Sequence, residues 1–310
     1  MTPQARRRRS RLRRDQMTLM IVALIAVPVI VWAGVRLAER DDSPQVRAGA
    51  GDPGVSHVHG LGINPADGSL IVATHHGSFR LPAGGGGGGG AERIGDSFQD
   101  TMGFTVAGPD HFLASGHPDV AGRQAGQPGQ LGLIESEDAG ATWTSLSLSG
   151  AVDFHGLAFA HDQVYGWDSG TGRFMVSTDR TEWETRSTLD LFGFAVDPDA
   201  ADRILGAGPG GLTESADGGR TWAHADGPQL LALSWDTDAG LWGTDADGIV
   251  WHRSGVDWER AGELPGAPQA FLATPDALYA AAHDDAGVTG IYRATDDGRT
   301  WDRIYRDGDQ

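Results

Sequence analysis

Along residues 56–306, short apolar-rich segments keep returning, separated by turn-forming glycine, aspartate and serine, and they align into six units. Each unit opens on one kind of segment: HVHGLGI (57–63), DTMGFTV (100–106), DFHGLAF (153–159), DLFGFAV (190–196), QLLALSW (229–235) and QAFLAT (269–274). A second kind follows: SLIVATHH (69–76), HFLASGH (111–117), QVYGWD (163–168), RILGAG (203–208), GLWGTD (240–245) and ALYAAAH (277–283). Runs of this length bounded by turn residues predict β-strands, and a third strand with a shorter fourth completes each unit. The first unit departs from the rest. Glycine fills its positions 84–90, and glycine is the residue that loses most backbone entropy on ordering, so no stiff hairpin is expected there.

Between the third and fourth strands stands a recurring octet: SEDAGATW (136–143), SADGGRTW (215–222) and ATDDGRTW (294–301). Asp138, Asp217 and Asp296 are 79 residues apart in each case, and the degenerate copies STDRTEW (177–183) and HRSGVDW (252–258) fall between them. A period near forty residues with four short strands predicts an all-β propeller of six blades, seven being the other count the spacing allows. The octet resembles the Asp-box, or BNR repeat, of sialidases, sortilin-type receptors and photosystem II assembly-factor propellers. The folded region as a whole resembles the bacterial exported BNR-repeat group loosely described as glycosylhydrolase-like. The resemblance implies a structural box: Asp138, Asp217 and Asp296 brace hairpin turns while Trp143, Trp222 and Trp301 pack between strands. Aspartate and glycine suit such turns and tryptophan supplies buried area, so the local chemistry agrees.

Ahead of the repeats, residues 17–37 are uncharged up to Arg36 and follow seven arginines. That run is long enough to cross a bilayer core of about 30 Å. The expected organisation is a cytoplasmic basic tail (1–16), a single uncleaved transmembrane helix (17–37), a linker (38–55) and the propeller (56–306), with the arginine block holding the N-terminus inside and the propeller outside. There is no cysteine, so neither disulfides nor a lipidated cysteine enters the picture. The chain has 24 arginines, no lysine and 42 acids, formally −18; without residues 1–16, which hold seven arginines and Asp15, 17 arginines face 41 acids, a balance of −24. So acidic an exterior argues against nucleic acid as a partner.

Propeller architecture puts the start of each first strand and the end of each second strand on one rim of the central channel, and the box turns on the other. Seven of the eleven histidines fall on that first rim. Blade by blade, the expected lining is His57 and His59 with His75 and His76; Asp100 and Met102 with His117; Asp153 and His155 with Asp168; Asp190 with Gly208; Gln229 with Asp245; and Gln269 with His283. His59, Met102 and His155 occupy one position in three consecutive blades, which makes them the expected metal ligands, for copper or zinc. Asp100 and Asp153 are expected to orient the ring nitrogens. His57, His75, His76, His117, Asp168 and His283 are expected to form the rest of a ligand pocket. Asp100, Asp153 and Asp190 are the candidates for acid/base work on a neutral glycan, with Phe154 and Trp167 to stack on sugar rings. Sialidase chemistry is not expected. Arg80, in SFRLP (78–82), sits on a third strand, no first strand carries an arginine, and the tyrosines lie at apolar positions or in the tail. The leading functional expectation is a membrane-anchored binding or accessory module for a small ligand, glycan or protein. The others are a glycoside hydrolase and an assembly factor for a membrane or metalloprotein partner.

Overall fold

Six four-stranded antiparallel sheets, each made of consecutive strands, account for all the strands in the computed structural model, which describes residues 53–82 and 90–308. The basic tail, the apolar run and most of the linker lie outside the described residues. Among those described, no helix is long and apolar enough to cross a membrane. The first strands are Val58–Ile63, Asp100–Gly108, Phe154–Ala160, Gly193–Asp197, Leu230–Asp236 and Ala267–Ala273. Each touches the first strand of the next blade, and the sixth touches the first, so the six close a ring around a central channel. The blade count is six. In blade 1 the third and fourth strands pair (Ser78 with Ile94, Arg80 with Glu92) despite the glycine run that joins them.

The ring is held by apolar layers between blades. Ile71, Phe104, Phe112 and Ile134 fill the gap between blades 1 and 2, and Tyr165, Phe174, Val196 and Ile204 that between blades 3 and 4. Closure from blade 6 to blade 1 needs no shared sheet. Val55, Val58, Leu70 and Val72 pack directly on Tyr279, Ala281 and Ile291. The tyrosines expected at apolar positions are there: Tyr165, Tyr279 and Tyr292 are all buried.

The octets form the turns between third and fourth strands. Asp217 accepts bonds from the Thr221 backbone N–H at 2.8 Å and its hydroxyl at 2.6 Å, and Ser215 Oγ donates to the same carboxylate at 2.9 Å. The Asp138 and Asp296 turns repeat the threonine pair. The Thr221 hydroxyl and backbone hold the Asp217 carboxyl down at about 2, so this contribution to stability is present above the ordinary carboxylate range and fades as pH falls toward 2. Trp222 packs edge-on against Phe174 of blade 3, and its indole N–H donates to Ser187 Oγ at 2.9 Å. Trp222→Ala should therefore loosen the blade 3–4 contact and cost about 3 kcal/mol, the low end for an aromatic truncation because the ring is only half buried. A chemical-melt comparison checks it, and a midpoint equal to wild type would remove the tryptophan from the interface.

Candidate functional site

The channel rim is shaped by one backbone irregularity repeated in most blades. In blade 1, Val58 pairs with Thr74 and Gly60 with Ala73, which leaves His59 as an extra residue in the ladder. Met102, His155, Leu231 and Gln269 are the extra residues in blades 2, 3, 5 and 6. Phe192 fills the corresponding place in blade 4, its N–H donating to the Ala207 carbonyl. Such a bulge kinks the strand and re-aims one side chain. Gln269 therefore stands level with His59. The sequence alignment had set it level with His57; in fact Ala267 pairs with His283 as Asp100 pairs with His117.

Two clusters form on this rim. In the first, His59 Nε2 and His75 Nδ1 lie 3.2 Å apart, so at most one of them carries a hydrogen. Asp100 Oδ1 meets the same two nitrogens at 3.4 Å and 2.8 Å, yet it is a buried oxygen without a properly aligned hydrogen bond. His57 completes the group. Its ring stacks on His75 with centroids 4.8 Å apart, and the nearest nitrogens of His57, His59 and His75 lie within 4.8 Å of one another. In the second cluster, His155 Nε2 donates to Asp153 Oδ2 at 2.9 Å, and His117 Nε2 lies 3.4 Å from the same oxygen while its Nδ1 donates to the Gly129 carbonyl.

The two clusters take opposite charge states. Burial and the neighbouring imidazoles of His59, His75 and His283 push His57 down to about 3, and burial lowers His59 against the pull of Asp100. These rings are neutral at pH 7, with lone pairs available. In the second cluster the Asp153 carboxylate, against burial, lifts His117 to about 9. Burial opposes ionisation of Asp100 and Asp153, but the adjoining imidazoles outweigh it and hold both carboxyls below the usual range. A histidine lowered on folding lends stability above its unfolded value near 6.5 and loses it as pH falls; one raised on folding lends it below 6.5 and loses it as pH rises through 9. Thermal stability should therefore peak near pH 6.5. His57→Gln should flatten the acid limb, the shallower of the two because His57 reaches solvent on one side, and His117→Gln the alkaline limb. Melts across pH 5–9.5 test the pair, and parallel curves for wild type and both variants would contradict it.

The other sequence-expected residues are placed as follows. Met102 is half buried on its bulge, and His155 does not join the close donor group of His57, His59 and His75. His283 stands beside His57, ring centroids 6.0 Å apart, while His76 turns to Ser56 Oγ at 3.0 Å. Asp168 and Asp245 fold back into their own turns, Asp168 onto Thr171 and Arg173 and Asp245 onto the Trp251 indole. Asp190 is exposed. The two rings expected to stack on sugar are core residues: Phe154 is fully buried against Trp183, and Trp167 packs in the blade 3–4 layer with its indole bonded to the Leu189 carbonyl. Arg80 faces Asp67 on its third strand. Alignment of equivalent positions missed the convergence of His57, His59, His75 and Asp100. Two His-x-His or His-His pairs in one blade beside an acid opening the next was the signal available.

At the sequence level no family model and no curated protein matches the chain. Solved structures do resemble it. A GH74 xyloglucanase from Xanthomonas campestris is 18% identical, with 83% of this chain and 46% of that one covered at a TM-score of 0.54. A GH74 enzyme from Niastella koreensis is 15% identical over 81% of this chain and 45% of that one, TM-score 0.56. A structure of the nidogen/laminin complex is 13% identical over 76% and 93%, TM-score 0.58. The chain spans about half the length of the GH74 enzymes. These likenesses establish the propeller fold.

Proposed function

We propose that the chain is a membrane-tethered, extracytoplasmic propeller of the Asp-box type that binds one transition-metal ion at the mouth of its channel. One observation carries the reading. His59 Nε2, His75 Nδ1 and Asp100 Oδ1 form a triangle with edges of 2.8, 3.2 and 3.4 Å. Ligand atoms about 2.1 Å from a tetrahedral zinc ion lie about 3.4 Å apart, so this triangle is nearly the base of a zinc site. His57, whose nearest nitrogen lies within 4.8 Å of those of His59 and His75, is the candidate fourth donor. An oxygen that is buried yet lacks an aligned hydrogen-bond donor has a use in such a site. Imidazole and carboxylate donors favour zinc. The Asp-box part rests on the repeated Asp–Thr turns, and the tether on the arginine block and apolar run of residues 6–37.

Full-length protein in detergent micelles, dialysed against trace zinc and copper at pH 7.5, should retain one equivalent of metal, zinc in preference. Retention of neither metal would end the reading. Met102→Leu, which keeps the volume and removes the sulfur, should leave retention unchanged. An N-terminus beyond residue 37 on the mature protein, found by mass spectrometry, would remove the tether.

A further inference from the structure

The degenerate octet of blade 5, HRSGVDW (252–258), leaves a feature on the outer wall that the channel rim does not use. In blades 3 and 4 the tryptophan that closes the octet is tied to the blade before it. The Trp183 indole donates to Ser147 Oγ and that of Trp222 to Ser187 Oγ, each at 2.9 Å. Ser147 pairs with Leu133 and Ser187 with Phe174; the same place in blade 4, opposite Leu212, is Ala225. Trp258 of blade 5 therefore finds no hydroxyl there. The outer strand of blade 4 is also short, Ala223–Ala225 against Asp257–Glu263 in blade 5, so the wall of blade 5 outruns the one it packs on.

Between these two blades lies a cavity of about 310 Å³, lined by Asp226, Pro228, Trp251, Val256, Asp257 and Trp258, a volume at the small end for ligand pockets. Trp251 pairs with Arg260 and Trp258 with Arg253, which sets the two indoles on one face of the sheet as diagonal neighbours. Both are held in place. The Trp251 N–H donates to Asp245 Oδ2 at 3.0 Å, and Trp258 lies against Gly227, where a Cβ would meet the indole nitrogen at 2.6 Å. Val256 is 77% exposed. Asp226, 3.6 Å from His224, and Asp257 are exposed carboxylates. Indole faces attract cations, and carboxylates beside them add to the attraction. Outside residues 1–16 the chain is strongly acidic, so the surrounding field favours the same sign. The side chains of Val256 and Pro228 offer apolar contact and no hydrogen bonds, which suits methyl groups better than hydroxyls. We propose that this groove binds a small, free quaternary ammonium compound, with its methyl groups on the two indoles and Val256 and its charge balanced by Asp226 and Asp257. A primary ammonium is strongly hydrated and gains less from such walls.

Full-length protein in maltoside micelles would be titrated by calorimetry at pH 7.5 with choline, with its unmethylated counterpart ethanolamine, and with dimethylbutanol, in which carbon replaces the nitrogen. Choline should half-saturate at about tenfold lower concentration than the alcohol and about fivefold lower than ethanolamine. Asp226→Asn combined with Asp257→Asn should weaken choline about fivefold and leave the alcohol unchanged. Val256→Lys, which sets a cation at the lip, should abolish choline binding. All three positions are exposed, so both variants should melt with wild type. No binding of choline, or equal binding of choline and dimethylbutanol, would overturn the proposal. Unchanged choline affinity in Val256→Lys would put the binding elsewhere and overturn it as well. Glycerophosphocholine should bind more weakly than choline, since its phosphate approaches the two carboxylates; tighter binding would assign the groove to lipid headgroups and overturn the free-ligand assignment.

Discussion

Replacing His59 and His75 together by alanine should abolish metal retention, and each single substitution should weaken it by about a hundredfold or more, since losing an inner ligand exceeds the 10–100-fold typical of an outer-shell partner. The argument is geometric. His59 Nε2 and His75 Nδ1 are two corners of the 2.8–3.4 Å triangle, and Asp100 with His57 alone cannot fix an ion from one side. His111→Ala and His161→Ala should leave retention intact. His111 bonds Glu135 at 2.7 Å and His161 the Asp197 carbonyl at 2.8 Å, both toward the rim that carries the box turns. Stability separates a lost ligand from a lost fold. Against burial, His59 and His75 hold the Asp100 carboxyl below its usual range. The metal-free double variant should therefore melt somewhat earlier than metal-free wild type while still unfolding in one cooperative transition, which a lost fold would not show. If the double variant still retained one equivalent of zinc, or if His111→Ala lost it equally, the donor assignment would be wrong.

The fold was legible because its cues are local. Turn octets at a fixed spacing, strands of six to eight residues and a glycine after the bulge in blades 1 to 4 need no knowledge of distant contacts. The same cue explains the slip in blade 6. There Ala270 follows the bulge in place of glycine, and Gln269 resembles the strand-opening Gln229, so the alignment settled two residues off. The proposed metal donors were only half legible for a different reason. Equivalent residues of a ring such as His59, Met102 and His155 lie on a circle around the axis, and rotation by one blade carries each to its neighbour without bringing them together. Convergence comes instead from residues that are not equivalent: a bulge side chain, the residue after the second strand of the same blade, and the opening residue of the next. Asp100 was expected to orient the ring nitrogens, and sequence shows only that it opens a strand, not that its oxygen lies 2.8 Å from His75. The aromatic misreading has a similar origin. Trp167 and Phe154 are near the mouth along the chain, but strand alternation turns Phe154 into the core, where it is wholly buried.

Gly103→Ala should be among the most damaging single-atom additions to this protein. Gly103 follows the bulge in blade 2, where the first strands of neighbouring blades approach most closely. A Cβ at that position would meet the Phe154 carbonyl oxygen at 2.5 Å and Leu157 Cγ at 3.1 Å, both on the first strand of blade 3. The carbonyl is backbone and has little room to retreat. Phe154 is fully buried, and its N–H is bonded to Ser115 Oγ of blade 2 at 3.1 Å. Relief requires the two blades to part, and a closed ring passes that displacement to its other joints. Overpacking of this kind costs about 3 kcal/mol, which for a domain of this size lowers the melting temperature by roughly 6–12 °C. Gly210→Ala is the matched control: its Cβ would have nothing within 4 Å, and its stability should stay within about 0.5 kcal/mol of wild type. Because Asp100 opens the same strand, parting blades 2 and 3 should also displace the one carboxylate of the proposed metal triangle, so Gly103→Ala should weaken metal retention as well as stability. A variant that melted with wild type would mean that the blades slide freely past one another, and the close approach at the bulge would then have no part in holding the ring.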